Sequence, residues 1–81
     1  MSDLLYRRVV EITEEYLGPA APRFVARQIA FHLHKTPAEL TDQDLAKLIE
    51  WGRVSLGLFT EDRALIDEYT AKLSQLALNR A

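Results

Sequence analysis

The two histidines carry the most versatile chemistry in this chain, because imidazole binds metals and exchanges protons near neutral pH. His32 and His34 are two positions apart. On a helix such residues point to different sides, so they cannot hold one ion together. The chain also contains no cysteine, so we expect neither a metal site nor a disulfide. His32, beside Gln28 on one helix face, could contact a ligand or respond to pH, or it could be a core histidine bonded to a neighbouring group.

A stripe of basic side chains is the second candidate site. Arg23, Arg27 and His34 share one side of a predicted helix, and Arg7 and Arg8 lie on the helix before it. Guanidinium groups can bind the carboxylates of an acidic protein partner, a phosphorylated segment or a nucleic-acid backbone. The stripe could instead be a solvated surface that nearby acids balance. These acids are Glu11, Glu14 and Glu15.

The charge of the whole chain favours a protein partner over nucleic acid. The formal net charge is −2 at pH 7, which argues against nucleic-acid binding through a general positive field. No aromatic ladder or helix-turn-helix spacing strengthens that interpretation. A nucleic-acid or phosphate-binding module that uses the Arg7, Arg8, Arg23 and Arg27 face therefore stays as the alternative function.

Acidic and hydroxyl side chains offer little support for catalysis. The acids occur as sequence neighbours, which splay apart around a helix, whereas two carboxylates that act on one bond must converge in a pocket. These pairs are Glu14–Glu15, Glu61–Asp62 and Asp67–Glu68. No serine has a nearby base at triad-like spacing, and there is no glycine-rich phosphate loop. We therefore expect a protein that is not an enzyme, with no catalytic residue and no cofactor.

Trp51, Val54 and Leu58 form an apolar stripe on the predicted third helix, beside the face that should enter the core. If only the core face packs inside the monomer, this stripe is an exposed patch of the kind that marks an interaction site, with tryptophan as a typical anchor. If helices on both sides cover it, the stripe is core. Both interpretations remain open. The first makes a homodimer plausible for so small a domain.

Four helices are predicted to position these side chains, because apolar residues recur at helical spacing along most of the chain. Their predicted spans are about 3–17, 20–35, 42–58 and 61–79, with a short turn near 37–40. No alternation with the period of a β-strand is present. The sequence therefore predicts one all-α domain over residues 1–81, a compact bundle of four helices.

Turn and capping signals set the helix boundaries. Gly18-Pro19 should end the first helix and begin the second, because glycine tolerates the left-handed helix end and proline suits a first turn. Thr36 and Glu39 make a capping box, which favours a short turn before the third helix. Thr41 and Asp44 are a second, weaker start signal. Thr60 is expected to cap the fourth helix.

Two further expectations concern burial. The second helix is apolar on nearly all sides, with Ile29 and Phe31 among its apolar residues, so we expect other helices to surround it. Gly52 and Phe59 fall on the core face of the third helix. Glycine inside a helix costs up to about 1 kcal/mol, and a close approach of the second helix is the expected compensation.

Several short motifs together resemble a known family. They are Tyr16-x-Gly18-Pro19-x-Ala21, Val25-x-Arg27, Leu45-x-x-Leu48-Ile49 and Asp62-Arg63-x-x-Ile66. This layout is similar to a small helical module of uncharacterised function found at the ends of bacterial signalling proteins, including serine/threonine kinases and response regulators. The chain departs from that pattern at His32-Leu33-His34 and in its unusually apolar third helix. The resemblance implies an accessory or regulatory module with no catalytic residues.

The sequence thus predicts a non-enzymatic protein–protein interaction or oligomerisation module in bacterial regulation. Its partner would be another protein or a second copy of the chain. The predicted contact residues are Trp51, Val54, Leu58, Arg23 and Arg27. No stretch approaches the run of about 20 apolar residues that crosses a bilayer, and no signal-peptide pattern is present, so we expect a cytoplasmic protein without a membrane partner.

Overall fold

The computed structural model describes residues 4–80. Over that range the regular structure is entirely helical, with no β-strand, which confirms the all-α prediction. The α-helices are α1 (Leu4–Leu17), α2 (Ala21–Gln28), α3 (Leu45–Leu56) and α4 (Arg63–Arg80). Between them lie 3-10 turns at Gly18–Ala20, Pro37–Glu39 and Asp42–Asp44, and a π-helical turn at Ile29–Leu33. The predicted helix start at residue 3 lies outside the described residues.

The corner between α1 and α2 forms where the sequence predicted it. Gly18 has φ = 61°, in the left-handed region where a side chain would be strained. Pro19 follows within a 3-10 turn, and α2 begins at Ala21. The hydroxyl of Tyr6 donates a hydrogen bond of 3.2 Å to the carbonyl of Pro22, which ties the two helices together.

α2 is shorter than the predicted span of about 20–35. Its regular α-helical turns end at Gln28, and the next turn is a π-helix over Ile29–Leu33. His34 closes that turn: its N–H donates to the carbonyl of Ile29, and its backbone is left-handed, with φ = 56° and ψ = 42°. The left-handed backbone of His34 ends the helix here, and Pro37 keeps the residue before it out of the helical region, so the helix does not resume.

Two capping boxes hold the segment between α2 and α3, as the sequence predicted. The N–H of Thr36 donates to Oε1 of Glu39 at 2.8 Å, and the N–H of Thr41 donates to Oδ2 of Asp44 at 3.0 Å. Nζ of Lys35 also donates to Asp44, at 2.7 Å. α3 begins after these two short turns rather than at the predicted position 42.

The turn after α3 begins earlier than predicted. α3 ends at Leu56 rather than near residue 58, and the N–H of Thr60 bonds back to the Leu56 carbonyl at 3.1 Å. Leu58 and Phe59 therefore lie in a turn and are 85% and 69% exposed. The expectation that Phe59 belongs to the core is wrong, because the helix stops before the position that would have turned its ring inward.

Asp62, rather than Thr60, caps α4. The carboxylate of Asp62 accepts a hydrogen bond from the N–H of Leu65 at 3.2 Å, which is the geometry of an N-cap. The hydroxyl of Thr60 instead accepts the N–H of Asp62 at 3.1 Å. The cap is thus displaced along the chain, and α4 starts at Arg63 rather than at residue 61.

A core of apolar side chains from α1 to α4 fills the centre of the domain. Its most enclosed members include Val9, Val25, Ile29, Leu45, Leu56 and Leu73. The Cα radius of gyration is 11.6 Å, close to the value of roughly 11.7 Å expected for a compact domain of this length. The hydroxyl of Tyr69 lies 2.8 Å from the hydroxyl of Thr13, so the two form a buried hydrogen bond.

Gly52 and α2 both differ from the predicted packing. A Cβ at Gly52 would lie 3.6 Å from Cε2 of Tyr69, so its close neighbour is α4 and not the second helix.

α2 is not surrounded by other helices, contrary to the prediction. One face is buried, through Ala21 and Val25, whereas Phe31 in the π-helical turn is 65% exposed. A chain of this size has too few residues to cover every side of its most apolar helix.

Candidate functional site

An open groove of about 670 Å³ lies between α2 and the end of α3. α2 and its π-helical turn contribute Arg23, Phe24, Arg27, Gln28, Phe31 and His32. The end of α3 and the following turn contribute Ser55, Leu58 and Phe59, and the corner before α2 contributes Leu17 and Ala20. The groove thus depends on two features described above, the π-helical turn and the early end of α3.

Large apolar side chains line this groove and remain accessible to solvent. Phe31, Leu58 and Phe59 are 65%, 85% and 69% exposed. The ring of Phe59 meets that of Phe24 edge to face, with centroids 5.9 Å apart and planes at 66°. This aromatic contact joins the wall formed by α2 to the turn after α3. Exposed apolar side chains gathered in one concave place are typical of an interaction site.

Arg23 and Arg27 supply the formal charge of the groove, and no acidic residue lines it. Within the described chain neither guanidinium forms an ion pair. Other basic groups do, with acids 2.6–2.9 Å away; they are Lys35, Arg53 and Lys72. Cζ of Arg27 lies 5.7 Å from the centre of the Phe31 ring, a cation–π arrangement that orients the guanidinium. The groove is therefore positive although the chain as a whole is acidic.

His32 is held by Trp51. The two rings are stacked, with centroids 4.0 Å apart and planes 7° apart. His32 lines the groove, whereas Trp51 does not and is partly buried behind it on α3. The imidazole is therefore neither a fully buried core residue nor a freely rotating surface group. Its ring forms a fixed part of the groove wall.

Gln28 brings an unsatisfied polar atom to the groove. Its side-chain Oε1 is enclosed and accepts no hydrogen bond from the described residues. An unpaired buried acceptor costs about 1–3 kcal/mol. Elsewhere in the interior, the Thr13 hydroxyl donates to the carbonyl of Val9 at 2.7 Å and the Thr70 hydroxyl to that of Ile66 at 3.1 Å. The enclosed oxygen of Gln28 thus lacks the hydrogen bond that these interior hydroxyls make, and Gln28 lines the groove.

The backbone beside the groove is also unusual. π-helical turns are rare and occur frequently at functional sites, and the turn at Ile29–Leu33 places Phe31 and His32 in the groove. His34, which ends the turn, is the described residue other than glycine with a positive φ. Such a backbone conformation costs of order 1–3 kcal/mol. The fold retains this strain where it shapes the groove.

The structure brings together part of the predicted contact set. Arg23, Arg27 and Leu58 line one groove, although they come from different helices in the sequence prediction. Trp51 and Val54 do not line it; Val54 is 55% exposed elsewhere on α3. The stripe is therefore divided between two surfaces, because α3 ends before Leu58 and the chain turns toward α2.

Three phenylalanines belong to the groove that the sequence analysis did not select as contact residues. They are Phe24, Phe31 and Phe59. The available signal was the excess of apolar residues around the second helix, which a small domain cannot bury completely. The position of Phe59 had no such signal, since it depends on where α3 stops.

The wider basic face of the alternative function is not gathered into this groove. Arg7 and Arg8 do not line it. Nε of Arg8 lies 3.7 Å from Oε1 of Glu11 on the same helix. The groove therefore combines two arginines with aromatic and aliphatic walls, rather than a continuous row of cations.

A second cavity of about 500 Å³ lies at the start of α4 and has a different character. Its charged residues are of both signs; they are Arg53, Glu61, Arg63 and Asp67. Arg53 donates to Oδ1 of Asp67 and to the hydroxyl of Thr70, both at 2.9 Å. Because Arg53 and Asp67 already satisfy each other and the cavity carries both signs of charge, it is a weaker candidate for binding than the groove.

Further properties of the described part of the chain narrow the chemistry. No group of three metal-binding side chains comes together within it, and none of its helices combines the length and hydropathy of a membrane span. Comparison of the chain with protein-family models, curated proteins and solved structures found no match. The groove itself therefore provides the argument for function.

Proposed function

We propose that this protein is a non-enzymatic docking module whose groove binds an acidic, apolar segment of a partner protein. The proposal rests on one observation: Arg23 and Arg27 line an apolar groove, and no acidic side chain of the described residues pairs with either of them. Complementary charge is a general means by which protein surfaces select their partners. Asp or Glu side chains beside apolar anchors would satisfy both features of the groove.

The shape of the groove favours a protein segment over a small molecule. Small-molecule sites usually enclose most of the ligand surface. Here Leu58, Phe59 and Phe31 are each more than 60% exposed, so a small ligand would remain largely in solvent. A partner helix that lays an apolar face across these side chains would cover them, with anchors at the i, i+3 or i+4, and i+7 spacing of helix-in-groove recognition.

Charge also favours a different protein over a second copy of the chain. In a two-fold dimer the same patch occurs on both subunits, so Arg23 and Arg27 of each copy would approach those of the other. No acid lines the groove to separate them, and like charges in an interface are unfavourable. The partner is therefore a hetero-partner. A dimer through this face is a competing outcome of the experiment.

The setting of this docking role follows from the resemblance of the Gly18-Pro19 corner and its neighbouring motifs to modules of bacterial signalling proteins. In this proposal α1–α4 act as a four-helix bundle that holds the groove. The module is cytoplasmic and regulatory, and it brings a partner to a signalling protein without catalysing a reaction itself. Within the motifs that carry the resemblance, Gly18 is left-handed and Val25 and Leu45 are buried, so these residues serve the framework that holds the groove.

A peptide selection tests the proposal. A library of random helical peptides is displayed and selected on the purified wild-type chain, with counter-selection on the Arg23→Glu/Arg27→Glu variant. We expect the enriched peptides to carry apolar residues at helical spacing flanked by Asp or Glu. A synthetic copy of the most enriched peptide should bind the charge-reversed variant at least about tenfold more weakly, a loss of about 1.4 kcal/mol. Replacing the acidic residues of the peptide by lysine should restore part of its affinity for the charge-reversed variant.

The matched control is Lys47→Glu/Arg63→Glu, which changes the net charge by the same amount at positions that do not line the groove. This variant should bind the peptide like wild type, and circular dichroism establishes that both variants fold. Absence of peptide enrichment contradicts the proposal. So does a duplex DNA probe whose salt-sensitive binding depends on the same arginines, or a dimer in sedimentation equilibrium that Leu58→Asp dissociates.

A further inference from the structure

We infer that Gln28 determines which segments the groove accepts, by requiring a hydrogen-bond donor on the apolar face of the occupant, best supplied by a tryptophan indole. This inference rests on the docking function proposed above and specifies the partner further. An apolar groove with two arginines would bind any segment that is both acidic and apolar. An unsatisfied acceptor in the wall of the groove restricts binding to those segments that also carry a hydrogen-bond donor.

The starting observation is the enclosed Oε1 of Gln28, which has no hydrogen-bond partner within the described chain. The residue as a whole is partly exposed and lines the groove, so its enclosed amide oxygen belongs to the wall that an occupant covers. A buried acceptor without a partner is unfavourable in the free protein. An occupant that donates to this oxygen removes that cost, and one that covers it without donating increases the cost.

The neighbours of Gln28 cannot replace that donor. The ring of His32 is fixed by its stacking on Trp51, with planes 7° apart. The ring of Phe24 is held edge to face against Phe59 and is apolar. Arg23, Arg27 and Ser55 also line the groove, but none of their donors forms a hydrogen bond with Oε1 of Gln28. The donor must therefore come from the occupant.

The surrounding side chains favour an indole as that donor. Its N–H is donor only, and its large apolar body suits walls made by Phe24, Phe31 and Phe59. An ammonium group would also donate, but Arg23 and Arg27 repel it. A serine or threonine hydroxyl would leave most of the aromatic surface uncovered. A tyrosine hydroxyl lies at the tip of its ring and can also donate, but it is an acceptor as well as a donor, and its single ring covers less of the aromatic surface than an indole.

A double-mutant cycle between protein and peptide tests the inference. The probes are two synthetic helical peptides with glutamates flanking an apolar face, one with tryptophan at the central position and one with naphthylalanine, which has similar bulk but no N–H. Binding is measured by titration calorimetry to wild type and to Gln28→Met, which keeps the length of the side chain and removes the amide. Wild type should prefer the tryptophan peptide by about tenfold, the loss expected for one buried unpaired acceptor. Gln28→Met should lose that preference.

The matched control is Gln75→Met, an exposed position on α4 outside the groove, which should retain the full preference for tryptophan. Thermal denaturation of Gln28→Met should show a stability equal to or above that of wild type, since the unpaired acceptor is gone. If both peptides bind wild type equally, or if Gln28→Met weakens both by the same factor, the role of Gln28 is wrong while docking stands. If neither peptide binds any form of the chain, the docking function itself is wrong.

Discussion

The imidazole of His32 lies flat against the indole of Trp51, with ring centroids 4.0 Å apart and planes 7° apart. The contact joins the π-helical turn to the middle of α3. It also covers one face of the partly buried Trp51 ring with a residue of its own chain. Less of the indole is therefore available to a partner than the sequence prediction assumes.

We predict that this stack couples the stability of the two residues. Trp51→Leu should destabilise the chain by about 1–3 kcal/mol, because a partly buried indole loses both its packing and its stacking partner. His32→Leu should cost less. The double variant should be more stable than the sum of the single losses predicts, by about 0.5–1.5 kcal/mol. Urea unfolding of the four proteins measures the coupling; strictly additive losses would show that the rings do not stabilise one another.

Signals that act within a few residues could be read from the sequence. Gly18 and Pro19 form the predicted corner, because left-handed glycine and a fixed proline φ are local properties. The Thr36–Glu39 capping box forms for the same reason: a side chain reaches a backbone N–H three residues away. Neither feature needs the rest of the fold.

The groove could not be read in the same way, because it depends on contacts between distant segments. Nothing near His34 marks it for a left-handed backbone, which glycine usually takes at a helix end. The exposure of Phe59 depends on α3 stopping at Leu56, and its contact with Phe24 joins residues far apart in the chain. Hydrophobic periodicity shows which apolar side chains share a helix face, but tertiary packing decides which of them remain exposed to solvent.

Two glycine substitutions should change stability in opposite directions. Gly18 has φ = 61° with open space around it, so Gly18→Ala should cost about 1 kcal/mol through backbone strain alone. Gly52 lies inside α3, and a Cβ there would meet the Tyr69 ring at an ordinary 3.6 Å. Gly52→Ala should therefore stabilise the chain, by up to about 1 kcal/mol.

Urea midpoints of these two variants, compared with wild type, provide the measurement. The pair is internally controlled, because each adds the same methyl group. Destabilisation by Gly52→Ala would mean that α3 and α4 are packed more closely than the 3.6 Å separation indicates.

The two capping boxes should make the chain lose stability in acid. The backbone N–H and the hydroxyl of Thr36 hold the pKa of Glu39 below its ordinary 4.5. Burial acts to raise the pKa of Asp44, but hydrogen bonds from Lys35 and Thr41 outweigh it, so this pKa lies below its ordinary 3.8. A lowered carboxyl pKa contributes stability that is complete above the ordinary pKa and is lost as the pH falls through the lowered one.

Thermal midpoints should therefore be steady at and above about pH 5 and fall as the pH drops below the ordinary carboxyl values. Asp44→Asn and Glu39→Gln should each start from a lower midpoint near neutral pH and show a shallower acid decline. Glu50→Gln, at an exposed position on α3, is the matched control for the loss of one carboxylate. An acid decline of equal steepness in wild type and in the Asp44→Asn/Glu39→Gln double variant would show that the caps do not contribute to it.

Removing exposed apolar surface from the groove should weaken docking without weakening the fold. Leu58 and Phe31 are 85% and 65% exposed, so Leu58→Ala and Phe31→Ala should change the free energy of unfolding by less than about 0.5 kcal/mol. Each should nevertheless lower the affinity for the selected acidic peptide by about fivefold or more, since truncation of an interface anchor typically costs above 1 kcal/mol.

Val54→Ala is the matched control, because Val54 is also more than half exposed, at 55%, on the part of α3 that does not line the groove. Peptide titrations and urea unfolding on the same preparations separate the two effects. An equal loss of peptide affinity in Val54→Ala would place the contact on the original stripe of α3 rather than in the groove, and the division of that stripe into two surfaces would then have no functional meaning.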